Sequence, residues 1–431
     1  MRRLFVLSVD SLFYDDMEWL KECPYLYEIL KNGSQIKEME TVYPAMTYPA
    51  HATMLTGCYP DVHGIYHNEK VQIDNPYPDW HWRREELKVP TLIDVLAPMG
   101  YRFCVVNWPV TGADPNIAYN LPEIWSKKPD GDSRPRFLTV CSPGMEVLFD
   151  KYRHLLRWKY QPELDEFGVR CLQEVIEEHQ PEVIMLHLSY LDHSRHAYGG
   201  FAKEAKMALQ ACDERFGRIV EQLKRLGLYE DTNFVVVGDH GHRPVKQVLN
   251  PNIILREKGL IELDESGMVK AWKAYCHSAS LSTHVVLADP DDKAVRAQVE
   301  EIMAEMVADE SLGCEQVLDK ETLKSQWHLE GPFDYVIEAR LGTAFGNLCQ
   351  GPLLMGTDSR DYKLSVSAHG HLPVKGPHPT FFLAGPQVRR GVILEKGHLI
   401  QEAPTWAALL GARMPQAQGS VVTELLNEQL L

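Results

Sequence analysis

The stretch Leu4-Phe5-Val6-Leu7-Ser8-Val9-Asp10 is a short apolar run that ends on an acidic residue. A continuous run of this length, rich in apolar residues, is typical of a strand buried on both faces of a sheet. Further runs of the same kind predict four more strands, at Arg102–Val106, Val183–Leu188, Asn233–Val237 and Thr380–Leu383.

Helical patterns alternate with these runs. We predict helices at Thr91–Met99, Asp165–Glu178 and Lys203–Leu226. The last of them carries apolar residues at three- and four-residue spacing, which favours packing against a core. Strands that alternate with helices indicate a parallel sheet covered on both faces, so the predicted fold class is α/β with a large, mostly parallel sheet between helices.

The pattern changes between residues 251 and 365. His284–Ala288 and Asp334–Ala339 each predict a strand, and a helix is expected from Asp291 to Val307. We therefore predict that 251–365 is a smaller α/β insertion that caps the main sheet. Residues 1–250 and 366–431 together form the larger domain in this interpretation.

Composition excludes several classes of protein. The 431 residues are 45% hydrophobic and 24% charged, as in an ordinary folded protein. The net charge of −16, with no basic tract to offset it, argues against binding to a nucleic-acid polymer. No stretch approaches the roughly 20 apolar residues that a membrane helix needs. Nine scattered cysteines without a C-x-x-C pair fit a reducing compartment, and we predict a cytoplasmic protein.

Acidic and histidine side chains gather at the ends of the predicted strands. Those that share this property are Asp10, Asp192, His196, Asp239, His240 and His369. Ligands of open parallel sheets bind beyond the carboxyl ends of the strands, so these side chains are expected to meet at one edge. Asp and His are suitable ligands for Zn²⁺. Six of them are too many for one tetrahedral ion and suit two.

Thr47 lies in Tyr43-Pro44-Ala45-Met46-Thr47-Tyr48-Pro49-Ala50-His51. Two prolines bracket it, and the helical pattern that follows places it near a helix N-terminus, where phosphate binds readily. A threonine hydroxyl is a poor nucleophile unless a base or a metal activates it. Without the Asp and His clusters, a role as helix N-cap would be the better interpretation of Thr47.

These motifs together resemble the alkaline phosphatase superfamily, and within it the nucleotide pyrophosphatase/phosphodiesterase branch. The resemblance rests on T-Y-P-x-H at Thr47, Y-P-x-x-H-G-I followed by Asn68, D-x-x-x-H, D-H-G and a late H-G. Asn107-Trp108-Pro109 resembles that branch's W-P-G element, although Val110 replaces the glycine. The resemblance covers 1–250 and 366–431 well and the insertion poorly, and it implies an alkaline-phosphatase-like fold.

The resemblance also implies a role for each matching residue. One zinc ion would be held by Asp192, His196 and His369, and the other by Asp10, Asp239, His240 and the oxygen of Thr47. Thr47 would be the nucleophile and form a phosphothreonine, which water then hydrolyses from the opposite side. Asn68 would donate to a phosphoryl oxygen. The sequence departs from the branch at His242 and at His371, which, like His193, we expect to be solvated or packing histidines rather than neighbours of the ligands or substrate contacts.

The substrate is less well determined by the sequence. Trp80 and Trp82 could stack on a base or cover the edge of the sheet, and Trp108 is a third candidate for a substrate contact. The leading hypothesis is hydrolysis of phosphodiester or pyrophosphate bonds in small, nucleotide-type substrates.

Other activities on the same site remain open at this stage. They are phosphomonoester hydrolysis, hydrolysis of a phosphonate such as phosphonoacetate, and phosphate transfer within a sugar phosphate. A relative that binds metal or nucleotide without catalysis is a further alternative. A sulfatase is disfavoured because neither C-x-P-x-R nor S-x-P-x-R is present. The oligomeric state is open as well.

Overall fold

The structure is a computed structural model that describes residues 1–73, 75, 77–125, 131–157, 160–359 and 364–428. Eighteen strands form within these ranges: β1 Arg3–Val9, β2 Ser34–Glu40, β3 Phe103–Val106, β4 Tyr119–Leu121, β5 Val183–Leu188, β6 Thr232–Val237, β7 Arg243–Leu249, β8 Ile261–Leu263, β9 Val269–Trp272, β10 Ala274–Ser278, β11 Ser282–Leu287, β12 Cys314–Asp319, β13 Tyr335–Ala339, β14 Gly342–Phe345, β15 Leu354–Gly356, β16 Ser367–Ala368, β17 Phe381–Ala384 and β18 Ile393–His398.

Fourteen α-helices accompany them in the same ranges: α1 Met17–Leu20, α2 Pro24–Asn32, α3 Thr47–Thr56, α4 Pro60–His63, α5 Leu92–Leu96, α6 Arg134–Phe137, α7 Met145–Tyr152, α8 Glu163–His179, α9 Tyr190–Tyr198, α10 Lys203–Arg225, α11 Pro251–Glu257, α12 Lys293–Ala308, α13 Lys320–Trp327 and α14 Glu402–Leu409. None of the helices in these ranges is long and apolar enough to cross a membrane.

The largest sheet has eight strands in the order β18-β2-β17-β6-β1-β5-β3-β4. All neighbouring pairs are parallel except the two that β17 makes with β2 and β6. Strands β5 and β6 are buried along their whole length, as their continuous apolar runs require. The predicted α/β fold with a large, mostly parallel sheet between helices is therefore confirmed.

The helices cover this sheet through their apolar faces. Phe216 of α10 packs against Phe5 of β1 and Phe234 of β6, with ring centroids 5.6 and 6.1 Å away. The helix predicted at Thr91–Met99 differs in detail, because α5 ends at Leu96 and a 3₁₀ turn continues to Met99. Pro98 lies in that turn, and proline has no N–H to continue an α-helix.

Smaller sheets are built from the later part of the chain. One is antiparallel in the order β10-β11-β13-β12, and its core includes the apolar face of α12. In another, β7 pairs with β14, β15 and β16. That sheet joins strands from both sides of the boundaries expected near 250 and 365. The division into a main domain and an insertion at 251–365 stays a prediction.

A buried ion pair fixes α9 against the loop after β1. Arg195 is 0% exposed, and its Nη2 donates to Asp16 Oδ2 at 2.5 Å. The guanidinium also lies 3.8 Å from the ring centroid of Phe13. Because Asp192 and His196 flank Arg195 on the same helix, this contact sets where both of those side chains lie.

We expect Arg195→Leu to lower the free energy of unfolding by about 3–5 kcal/mol, because Asp16 would be left buried without its cation. Arg170→Leu is the matched control, since Arg170 is half exposed and pairs with Glu166 on the helix surface. Its expected cost is about 1 kcal/mol or less. Urea denaturation of the three proteins measures both values. Equal losses in the two variants would contradict the role given to Arg195.

Candidate metal centre

The predicted ligands converge where the central parallel strands end. Strands β6, β1 and β5 lie side by side, so the chain segments that follow them meet at one edge of the sheet. Asp10 directly follows β1, and Asp239 and His240 follow β6. Strand β5 leads into α9, which carries Asp192 and His196. His369 directly follows β16 and reaches the same place.

Four buried side chains form the first group. Asp192, His196, His242 and His369 each offer a ligand atom, and these atoms lie within 4.8 Å of one another. Asp192 is at the centre of the group. Its Oδ1 lies 2.7 Å from His242 Nε2 and 3.9 Å from His369 Nε2, and its Oδ2 lies 3.5 Å from His196 Nε2.

The second group lies beside the first. Asp10, Asp192 and His240 offer ligand atoms within 4.8 Å of one another. His240 Nε2 is 3.4 Å from Asp10 Oδ1 and 3.3 Å from Asp239 Oδ2. The structure thus brings all six of the Asp and His residues predicted from the sequence into one buried cluster.

Thr47 is the first residue of α3, and its hydroxyl belongs to the same cluster. Thr47 Oγ1 lies 3.2 Å from His240 Nε2. Met46 takes the N-cap position, and no side chain caps this helix. The hydroxyl of Thr47 therefore does not cap the helix, which was the alternative interpretation of this residue. It lies at a helix N-terminus, where anions are stabilised.

Hydrogen bonds behind the imidazole rings hold them in place. His369 Nδ1 donates to the backbone oxygen of Ala45 at 3.1 Å. His196 Nδ1 lies 3.1 Å from Ser365 Oγ, and His242 Nδ1 lies 3.1 Å from Ser367 Oγ. In each ring the Nε2 atom is then the one turned toward Asp192. Metal-binding histidines are oriented in this way in proteins.

The charges of the cluster favour a bound cation. Burial raises the pKa of Asp10 well above its ordinary value, and Asp192 and Asp239 raise it further. Burial also raises the pKa of Asp239 to about 7. For Asp192 burial acts in the same direction, but His196 and His242 outweigh it and the pKa lies well below its ordinary value. Burial lowers the pKa of His369 to about 4, so that ring is neutral near pH 7 and available as a ligand.

Two buried carboxylate oxygens without hydrogen-bond donors indicate that these residues fit a metal ion. Asp10 Oδ1 and Asp239 Oδ2 are buried, and neither accepts a hydrogen bond from any residue in the described ranges. A buried carboxylate oxygen without a donor is costly unless a cation compensates it. The donor set of carboxylates and imidazoles suits Zn²⁺ or a similar divalent ion. The cluster can therefore hold metal.

Asn68 lies beside the nucleophile candidate with its amide oriented. The backbone N–H of Tyr48 donates to Asn68 Oδ1 at 2.9 Å, which leaves the NH₂ group as the available donor. The side chain is 5% exposed. This orientation suits a donor to an oxygen of a substrate bound at Thr47.

The three tryptophans predicted to contact substrate lie in different surroundings. Trp80 is half-buried and meets Tyr48 edge to face, with ring centroids 5.1 Å apart. Trp82 is mostly buried, and the guanidinium of Arg136 covers its ring at 4.1 Å. Trp108 is 0% exposed and packs on the ring of His51 at 4.9 Å. Trp108 thus supports the core beneath α3 and offers no surface to a substrate.

Val110 has the backbone conformation that a glycine would adopt easily. Its φ is 59°, in the left-handed region that is strained for a β-branched residue. At the position where the family element has glycine, the turn after Trp108 thus has a conformation that glycine adopts without strain. Burial of Val110 at 1% exposure supplies packing that compensates the strain.

His187 is a neighbour of the cluster that the sequence analysis missed. Its Nε2 lies 3.2 Å from Asp10 Oδ2 and its Nδ1 lies 3.1 Å from the backbone oxygen of Asn107. The one signal in the sequence is a histidine inside the otherwise apolar strand Val183–Leu188.

His242 and His51 were noted from the sequence, and the structure shows their contacts. His242 touches Asp192 more closely than any predicted ligand does. His51 Nδ1 donates to the backbone oxygen of Thr47 at 2.7 Å, and its Nε2 accepts from Ser8 Oγ at 2.9 Å. His51 thereby holds the first turn of α3 against β1.

Comparison with known proteins gives one family. The sequence model described as type I phosphodiesterase / nucleotide pyrophosphatase matches residues 4–362. The human ectonucleotide pyrophosphatase/phosphodiesterase family member 1 is 26% identical over 234 residues, which are 52% of this chain and 21% of that protein. A bis(5'-adenosyl)-triphosphatase from Bos taurus is 24% identical over 249 residues, 56% of this chain and 47% of that protein. The matched region thus spans less than half the length of either relative.

Solved structures agree in fold. Murine ectonucleotide pyrophosphatase/phosphodiesterase 5, in an inactive threonine-to-alanine variant in complex with AMP, superposes with a TM-score of 0.68. It covers 99% of this chain and 100% of its own, at 18% identity. The human protein of the same name gives a TM-score of 0.67, also at 18% identity. The alkaline-phosphatase-like fold is therefore confirmed.

We expect binding of a divalent cation to strengthen as pH rises toward 7. Below its raised pKa of about 7, Asp239 holds a proton that a cation must displace. Affinity should then rise by up to about tenfold per pH unit below pH 7. Competition of the protein with a chromogenic chelator for zinc, at about pH 6 and about pH 8, measures the change.

Asp239→Asn is the matched variant for this measurement, because its amide has no proton to displace. It should bind zinc more weakly and show a smaller pH dependence. An affinity of the unsubstituted protein that stays flat between the two pH values would contradict the assignment of Asp239.

Proposed function

The chain belongs to the type I phosphodiesterase / nucleotide pyrophosphatase family, and from that membership we propose that it hydrolyses phosphodiester or pyrophosphate bonds in nucleotide-type substrates. Hydrolysis proceeds through a phosphothreonine on Thr47, at a centre that binds two zinc ions. The observation that carries the proposal is the position of Thr47 Oγ1, 3.2 Å from His240 Nε2 within the buried Asp and His cluster.

Each of the two groups of side chains would hold one of the two ions. Asp192, His196 and His369 would hold one, and His242 is close enough to Asp192 to join or support that set. Asp10, Asp239, His240 and the oxygen of Thr47 would hold the other. When bound, such ions stabilise negative charge on oxygen and lower the pKa of a coordinated hydroxyl or water.

Charge balance supports two ions rather than one. Asp10, Asp192 and Asp239 carry three negative charges when ionised. A single divalent cation leaves that set net negative, which would repel an anionic phosphate. Two divalent cations leave it net positive, so the site attracts the substrate.

The chain's own groups perform the covalent steps. Thr47 Oγ forms a bond to phosphorus while the leaving oxygen departs from the opposite side, and the threonine proton is lost to solvent. Water then attacks the phosphothreonine in line, and Thr47 regains its hydroxyl. The N-terminus of α3 stabilises negative charge on the phosphoryl group throughout. The NH₂ group of Asn68, held by the Tyr48 contact, donates to a phosphoryl oxygen.

Side chains near Thr47 favour a diester over a monoester. Trp80 is half-buried, and its ring lies 5.1 Å from that of the buried Tyr48, the residue after the nucleophile, so its exposed part can pack on an organic substituent of the phosphate. A monoester would gain from an extra cation, but Arg84 is paired with Asp94 and Arg195 with Asp16. Among the residues that the structure describes, we find no comparable contact that supports the phosphomonoester or phosphonate alternative.

We also propose that the chain works in the cytoplasm on small molecules. All nine cysteines are unpaired, which is typical of a reducing compartment. A small nucleotide-type substrate agrees with the names of the relatives and with the buried position of the centre.

Thr47→Ala should lower kcat for a diester substrate by about a thousandfold or more, which corresponds to about 4 kcal/mol of activation barrier. Thr47→Ser is the matched control, since it keeps a hydroxyl, and it should retain measurable activity. Steady-state kinetics with bis-p-nitrophenyl phosphate and elemental analysis of zinc test both points. Nearly full activity in Thr47→Ala, with two zinc ions bound, would refute the covalent role of Thr47.

Substrate preference is tested by a parallel assay of bis-p-nitrophenyl phosphate, p-nitrophenyl phosphate and phosphonoacetate. We expect kcat/KM for the diester to exceed the other two by at least about tenfold, because the second substituent of the diester can pack on the partly exposed ring of Trp80. Faster turnover of the monoester or of phosphonoacetate would favour the corresponding alternative. Two bound zinc ions without activity on any of them would favour a non-catalytic relative.

A further inference from the structure

The buried carboxylate of Glu338 joins two segments of the metal centre that are far apart in the sequence. Glu338 lies on β13, and it is 0% exposed. Its Oε2 accepts a hydrogen bond from the Tyr43 hydroxyl at 2.9 Å, and its Oε1 accepts one from the backbone N–H of Leu372 at 2.9 Å. Tyr43 begins the nucleophile segment, residues 43–47, and Leu372 lies in the ligand segment, residues 369–375. One carboxylate thus contacts both segments.

The nucleophile segment and the ligand segment also bond to each other through Ala45. The backbone N–H of Gly370 donates to Ala45 O at 2.7 Å, and the backbone N–H of Ala45 donates to His371 O at 3.3 Å. The ring of His369 donates to the same Ala45 oxygen at 3.1 Å. The orientation of His369 therefore depends on how the two segments lie relative to each other, and Glu338 bonds to both of them from β13.

Strand β11 and the loop before it hold the ligand segment from another side. Ser282 Oγ donates to Gly370 O at 2.7 Å, and the backbone N–H of Leu281 donates to His369 O at 3.0 Å. Gly370 permits this approach, because its φ is 92° and a Cβ there would lie 1.8 Å from the backbone oxygen of Ala279. The ligand segment is therefore held between the nucleophile segment and the strands β11 and β13.

The charge of Glu338 is compensated within the protein. Lys375 Nζ lies 3.0 Å from Glu338 Oε1 and 2.6 Å from Glu315 Oε2. Burial raises the pKa of Glu338 above its ordinary value, although the three groups that donate to it act in the opposite direction. An ionised carboxylate accepts hydrogen bonds on both oxygens, whereas the NH₂ group of an amide would face a donor. This position therefore favours a carboxylate over an amide of the same size.

We propose that Glu338 is a positioning residue, which holds His369 and Thr47 in the relative arrangement that metal binding and nucleophilic attack require. Its hydrogen bonds reach Tyr43 and Leu372 rather than the ligands, so it acts through the two segments that carry them. This role rests on the two-zinc centre of the proposed function and adds a residue of β13 to those that determine its activity. Loss of groups that orient metal ligands typically weakens metal binding by roughly 10–100-fold.

Competition with a chromogenic chelator for zinc tests the proposal on the full chain. Glu338→Gln should weaken the binding of one of the two ions by about tenfold or more. Glu315→Gln is the matched control, because Glu315 pairs with the same Lys375 at a partly exposed position, and it should leave both affinities unchanged. His369→Ala identifies the ion concerned. In the His369→Ala background, Glu338→Gln should weaken the remaining ion by about twofold or less, because its effect passes through His369.

Kinetics with bis-p-nitrophenyl phosphate, at zinc concentrations that fill both sites, supply a second readout. In Glu338→Gln, kcat should fall by about tenfold while KM changes by about twofold or less, because a displaced nucleophile raises the barrier without removing a substrate contact. Tyr43→Phe removes one hydroxyl and leaves Glu338 paired with Lys375. It should lower kcat and the affinity for the same ion by about threefold each, and it decides the question if Glu338→Gln does not fold.

Three results would overturn the positioning role of Glu338. They are unchanged zinc affinity in both Glu338→Gln and Tyr43→Phe, an equal loss in Glu315→Gln, and additive losses when Glu338→Gln is combined with His369→Ala. Additive losses would mean that Glu338 acts independently of His369. If the zinc affinities change as expected but the unsubstituted protein does not hydrolyse phosphodiesters, that result counts against the proposed function and supports the role of Glu338 in the metal centre.

Discussion

Repulsion among the carboxylates of Asp10, Asp192 and Asp239 is the constraint on which the rest of this structure depends. Each follows one of the adjacent strands β1, β5 and β6, so the parallel arrangement of the sheet forces them together. Burial makes the repulsion strong, since charges interact more in a low dielectric than in water. Burial is the main reason that the pKa values of Asp10 and Asp239 are raised in the protein without cations, and the neighbouring carboxylates raise both further. Divalent cations convert the same conflict into binding free energy.

The surrounding residues keep these carboxylates in a fixed arrangement. Ser11 N–H donates to Asp239 Oδ1 at 2.8 Å, and the ion pair of Arg195 with Asp16 fixes the helix that carries Asp192. His187 Nε2 lies within hydrogen-bond distance of Asp10 Oδ2. Such contacts resist the tendency of like charges to separate, so the site keeps its shape before a cation binds. A preorganised site loses less free energy to rearrangement when ligand and substrate arrive.

The threonine and the cations depend on each other. A hydroxyl at a helix N-terminus is common and unreactive by itself, and a cluster of Asp and His without a nucleophile would only bind metal. His240 connects the two, because its Nε2 lies near both Asp239 Oδ2 and Thr47 Oγ1. His51 holds the backbone of Thr47 in place, because its Nδ1 donates to the Thr47 backbone oxygen. The geometry of the nucleophile is thus set by the same strand ends that hold the ligands.

The sequence by itself determined the α/β fold, the residues that gather at the strand ends, and the place of Thr47 at the start of a helix. Those features follow from local patterns, because apolar runs of strand length and the residues after them are read directly along the chain. Only the tertiary structure decided that His187 touches Asp10, that Trp108 is wholly buried, and that Arg195 pairs with Asp16. These contacts join positions about 100 or more residues apart, or turn on which face of an element a side chain occupies. They depend on strand order and on how separate sheets pack, which no local pattern encodes.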